Sequence, residues 1–168
     1  MSELLDATVF VKETTLIKLG RGAGLSIWGF RSCAGNAPNC GCVSNSFEAV
    51  FGSDGPHMLD CVEFFAQCVA KLGRRKVGLA SPGHIHITHD EASVLATISA
   101  AQAGDYDVRN AHLAWLLADE PPLSLKRTID EIADGFTALS IDVLSPEYDQ
   151  QHPQHLQKTT PIAREMRL

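Results

Sequence analysis

No stretch of about 20 consecutive apolar residues occurs in this sequence, the length a helix needs to cross a bilayer, so no membrane-spanning role is expected. Met1 to Asp6 carry no basic segment ahead of an apolar one; without that secretion signature a cytoplasmic protein is predicted. A basic excess is missing too. The formal net charge is −6, whereas nucleic-acid binders displace counterions with Lys and Arg, so DNA and RNA are not expected as partners on charge alone. Nor is there an even set of cysteines: five, with no secretion signal, predict free thiols rather than a disulfide framework. Internal repeats and low-complexity runs are likewise missing.

What the sequence does hold is helical periodicity. With 168 residues, 45% of them apolar, the chain is long enough for one sizeable core and short for two. The spacing predicts a helix over residues 54–72, with Pro56 in its first turn and Gly73 as its stop. Met58, Val62, Phe65, Val69 and Leu72 form its apolar stripe. Leu59, Cys61, Phe64, Ala66 and Cys68 widen that stripe until only a narrow polar edge is left, the pattern of a central helix. Thr88 and Glu91 have capping-box spacing, and Gly104-Asp105 supplies a stop and a new N-cap. Residues 88–103 and 105–118 are therefore expected to pack as an antiparallel helical hairpin, with Val94, Leu95, Ile98 and Ala101 facing Tyr106, Leu113, Leu116 and Leu117.

After Pro121-Pro122, Ser124 is expected to cap a further helix carrying Ile129, Ile132, Ala133, Phe136 and Leu139. Residues 36–41 read as a loop and 44–51 as a short helix. In the N-terminal third, Val9-Phe10-Val11 and Leu16-Ile17 suit a strand, yet residues 16–31 also accommodate a helix interrupted by glycines, and helix is the reading adopted. The sum is an all-α fold: a compact bundle of about five to six helices over residues 1–145, then a polar, mobile tail over 146–168, too rich in Gln, His, Pro and charge to bury a core.

Two clusters carry candidate metal chemistry. His84 and His86 alternate on an extended segment and project to one side, with His89 a turn away; three imidazoles so spaced could hold zinc with an open coordination position. The competing account is a loop whose histidines are solvated or pair with carboxylates. Cys33, Cys40 and Cys42 form the second cluster, with thiols suited to zinc or iron; their spacing differs from the usual Cys-x-x-Cys pairs, and core or loop thiols are the plainer account. Cys61 and Cys68, on the apolar stripe, read as small buried hydrophobes.

Other features weigh less. Gly20 to Gly24 lacks both the phosphate-loop lysine and the dinucleotide-binding spacing, and reads as a flexible helix entry. Lys71, Arg74, Arg75 and Lys76 are the one basic cluster, able to meet an anion but also ordinary partners of a helix C-terminus. Arg109, His112 and Trp115 lie a turn apart on one helix and either line a pocket or belong to the core.

Pro82-Gly83, Asp90-Glu91, Ala101-Gln102 with Gly104-Asp105, and His112-Leu113 with Trp115-Leu116 resemble a group of small uncharacterised bacterial helical proteins. The resemblance implies an all-α fold and carries no activity, substrate or cofactor. On function, the residues favour a helical binding or regulatory module that self-associates as a homo-oligomer, burying leftover apolar surface between copies. The alternative is a zinc or iron protein, acting as a hydrolase or redox sensor through His84, His86 and His89 or Cys33, Cys40 and Cys42.

Overall fold

The computed structural model describes residues 10–35 and 41–148; Cys40 and the expected tail from residue 149 onward lie outside them. The elements run β1 (Phe10–Thr15), α1 (Leu16–Leu19), α2 (Arg21–Ala34), α3 (Gly41–Phe51), a 3-10 turn (Gly52–Asp54), α4 (Gly55–Leu72), β2 (His86–Thr88), α5 (His89–Gln102), α6 (Tyr106–Leu117) and α7 (Leu123–Ala138). They form a helical bundle decorated by one antiparallel ribbon, β1 on β2. No helix among the described residues is long and apolar enough to cross a membrane.

The helical reading of the N-terminal third holds from Leu16 onward, broken at Gly20, but Phe10–Thr15 is a strand. Its Thr and β-branched residues give a helix little intrinsic support, and pairing with β2 satisfies the backbone instead. The backbone N–H of Leu16 extends the ribbon by donating to the carbonyl of Ile85 at 2.9 Å.

The hairpin forms as its caps dictate. Thr88 accepts from the Glu91 N–H while the Glu91 carboxylate accepts from the Thr88 N–H, and Gly104 makes the turn in the left-handed region at φ 73°. Asp105 then caps α6 through the Val108 N–H. α5 differs from its expected amphipathic stripe, because every residue from Glu91 to Ala101 is buried. Its Ala, Ser and Thr side chains are small enough for neighbours to approach on all sides. The Thr97 hydroxyl donates to the Ser93 carbonyl at 2.8 Å, so a polar residue can face the core without an orphaned group.

α4 packs against α2, α3 and α7, as its wide stripe implies, while Leu72 at its end stays largely exposed. α7 starts at Leu123 with Pro122 as its N-cap, so the expected cap at Ser124 is displaced into the first turn. There the Leu125 and Lys126 N–H groups reach the Pro122 carbonyl directly, and no side-chain cap is made. Past α7, the Ser145 hydroxyl donates to the Ala92 carbonyl at 2.6 Å, and the Tyr148 hydroxyl lies 3.3 Å from an Asp105 carboxylate oxygen. Residues 146–148 thus belong to the folded body rather than to a tail.

Between α4 and α5 the chain has little regular structure, and Arg31 of α2 fastens it. Its guanidinium donates to the carbonyls of Pro82, His84 and His86.

Candidate metal centre

On α4, His57 and Cys61 are four residues apart, so their side chains lie one above the other on the same face. That face meets α7, where Glu131 sits between the buried positions Ile129 and Ile132. The three side chains converge. His57 Nε2 is 2.7 Å from Glu131 Oε2, and Cys61 Sγ is 3.7 Å from His57 Nε2 and 3.8 Å from Glu131 Oε2. Among the described residues this is the group of His, Cys, Asp and Glu donors gathered within the span of one ion, all within 4.8 Å of one another.

Burial is graded across the site. Cys61 is 6% exposed and forms its floor, whereas the His57 and Glu131 side chains are 65% and 53% exposed and form its open rim. Burial, followed by the Glu131 charge and hydrogen bond and by Asp60, pushes the Cys61 thiol up to about 11. Without a cation the thiol therefore stays protonated at neutral pH and is a poor nucleophile.

An imidazole, a thiolate and a carboxylate are the three donor types zinc accepts, with bonds of about 2.0–2.3 Å. Tetrahedral bonds of that length place donors about 3.3–3.6 Å apart. The two sulfur edges, at 3.7 and 3.8 Å, sit close to that spacing, and the 2.7 Å His57–Glu131 edge must widen by roughly 0.6 Å, which two solvent-facing side chains can do by small torsions. Three protein donors leave a fourth position for water or a ligand.

The histidine cluster read from sequence is only partly assembled. The His84 and His86 rings lie side by side, 5.7 Å between centroids, but His84 stacks on Phe10 at 4.9 Å and its Nδ1 accepts from the His86 N–H at 3.2 Å. His89 opens α5 and turns to Glu147, 3.7 Å away. The three do not gather around a common point. Cys33 on α2 is a free thiol, as are Cys61 and Cys68; Cys42 lies on α3, and Cys40 lies outside the described residues. Burial, then Glu63 and Asp60, pushes the Cys33 thiol up to about 11. Burial also raises Cys68.

Trp115 belongs to the surface rather than the core: it is 58% exposed, and the Arg75 guanidinium lies over its ring at 4.8 Å. With His112, His89, Ser93 and Glu147 it lines a shallow pocket between α5 and α6. Burial lowers the His112 pKa, opposed in part by Glu147. In the basic cluster, Arg74 pairs with Asp119 at 3.2 Å and Arg75 with Asp90 at 2.7 Å.

His57 and Glu131 carry no conspicuous sequence signal. The His57-x3-Cys61 spacing is legible as two donors on one helical face, yet the third donor stands 70 residues beyond Cys61 and only the packing of α4 on α7 supplies it. No family model, curated protein or solved structure matches this chain.

Proposed function

We propose that this protein binds one divalent cation of the zinc class through His57, Cys61 and Glu131. The convergence of the three donor atoms from two packed helices carries this reading. It keeps the metal-binding alternative drawn from the sequence but moves it away from His84, His86 and His89 and from Cys33, Cys40 and Cys42. A bound ion would clamp α4 to α7 across the bundle. It would also replace the thiol's hydrogen-bond contacts with His57 and Glu131 by direct ligation of all three groups. A thiol-based redox sensor is less well served, because a buried, protonated thiol beside a carboxylate reacts slowly with oxidants.

The test is a zinc titration of chelator-stripped, reduced protein in competition with a chromophoric chelator. One equivalent binds the native chain, and His57→Ala, Glu131→Gln and Cys61→Ser each lose at least about tenfold in affinity with unchanged circular dichroism. Cys42→Ser behaves as native. No stoichiometric uptake, or uptake unaffected by all three substitutions, overturns the reading.

A further inference from the structure

The basic cluster after α4 is not absorbed by the metal centre, and two of its members, Arg75 and Lys76, line a second cavity. This cavity, about 230 Å³, lies between α2, α4 and the irregular chain that follows α4. Its wall is made by Phe30, Ala34, Ala66, Val69, Val77 and Leu79, and the polar side chains lining it are Arg75 and Lys76. The space exists because Ala34, Ala66 and Ala70 present methyl groups where α2 and α4 would otherwise interlock with larger side chains.

Arg75 is incompletely satisfied. Its Nη2 donates to Asp90 at 2.7 Å and its face covers Trp115, but Nη1 is buried with no hydrogen-bond partner among the described residues. A buried guanidinium N–H without an acceptor carries the full cost of its desolvation, so an anion reaching it gains more than one meeting an exposed cation. Lys76 adds an exposed positive charge beside it. In a chain of net charge −6, the charge of Lys76 and the open Nη1 of Arg75, whose own charge Asp90 offsets in part, give this apolar lining a polarity suited to an anion.

We propose that this cavity binds the anion of an unbranched medium-chain carboxylic acid, the alkyl chain lying against Phe30, Ala66, Val69 and Leu79 and the carboxylate meeting Arg75 and Lys76. The volume falls below the roughly 300–1,000 Å³ of pockets that enclose drug-sized molecules, which favours a short flexible chain over a fused ring system. The ligand is the free acid, not a lipid held in a bilayer, because the apolar wall is a cavity within the bundle rather than an exposed face.

Octanoate tests this against octan-1-ol and octylammonium, which keep the chain and change the head. Binding is followed by calorimetry and by two-dimensional NMR of the full chain. Octanoate gives saturable shifts centred on Ala34, Ala66, Val77 and Leu79, and the alcohol and the ammonium ion bind at least about tenfold more weakly, the loss of one charge-assisted hydrogen bond. Arg75→Gln reduces octanoate affinity about tenfold. Because Arg75 also supports Asp90 and Trp115, Lys76→Glu provides a second variant at an exposed position and weakens octanoate several-fold. Equal binding of the alcohol overturns the proposal, as do shifts centred on His112 and Trp115, no saturable binding, or association with anionic vesicles without octanoate binding.

Discussion

Arg31 and Glu91, 60 residues apart, meet as a two-point ion pair in which both side chains are almost wholly buried, with Nε to Oε1 at 2.7 Å and Nη2 to Oε2 at 2.9 Å. Oε1 also accepts from the Ala80 N–H and Oε2 from the Thr88 N–H. The carboxylate therefore uses both oxygens twice, and the guanidinium spends its remaining donors on three carbonyls of the chain leading into β2. A buried pair so completely bonded contributes by fixing one geometry: it ties α2, the segment before β2 and the start of α5 to one point.

Arg31→Met leaves Glu91 buried without its countercharge, and a loss of about 3–5 kcal/mol in urea-unfolding stability is expected. Glu91→Met should cost a comparable amount, and the Arg31→Met/Glu91→Met pair less than the sum of the two single changes. Additive losses would show that the two groups are not coupled.

Two glycines on α2 should respond in opposite directions to the same substitution. A Cβ at Gly22 would meet the Asp142 carbonyl oxygen at 2.6 Å and Ile141 at 2.9 Å, while nothing lies within 4 Å of one at Gly24. Gly22→Ala is expected to destabilise by about 1–3 kcal/mol through overpacking, and Gly24→Ala to stabilise by up to about 1 kcal/mol through helix propensity. Thermal unfolding of the two variants side by side decides it; a shift in the same direction contradicts the packing of α2 on the chain after α7.

His112 makes stability depend on pH. Its folded pKa is depressed by burial, so as pH falls the unfolded chain takes up the proton first, near the ordinary value of about 6.5. The contribution is complete above that pH and is lost as pH drops through it toward the lower folded value. Between pH 7 and pH 5 the native chain should therefore lose stability more steeply than His112→Asn. Parallel curves, or a native chain that gains stability toward acid, would contradict this environment for the imidazole.

Much of the fold was readable along the chain because its signals are local. The Thr88–Glu91 capping box, the Gly104 turn, the Asp105 cap and the stripe of α4 each depend on residues within a turn or two of one another. The burial of α5 on every side was not readable, since Ser93, Thr97 and Ser99 count as polar in any periodicity while their small size lets neighbours close over them. Strand β1 is legible only as the strand character of Phe10-Val11, because its partner lies more than 70 residues away and supplies the pairing that fixes its extent. The same separation hid the candidate site. His84, His86 and His89 are close in sequence but are drawn off by Phe10 and Glu147, whereas His57, Cys61 and Glu131 become neighbours only when α4 packs on α7.

Cobalt substitution asks most directly whether that last arrangement is a metal centre. Co²⁺ added to the reduced, metal-stripped protein should give the visible bands of a four-coordinate ion together with a near-ultraviolet sulfur-to-cobalt charge-transfer band from a single thiolate. Cys61→Ser should abolish the charge-transfer band, and Cys33→Ser and Cys42→Ser should leave it intact. A spectrum of purely hexahydrated cobalt, or a sulfur band that survives Cys61→Ser, would contradict the account.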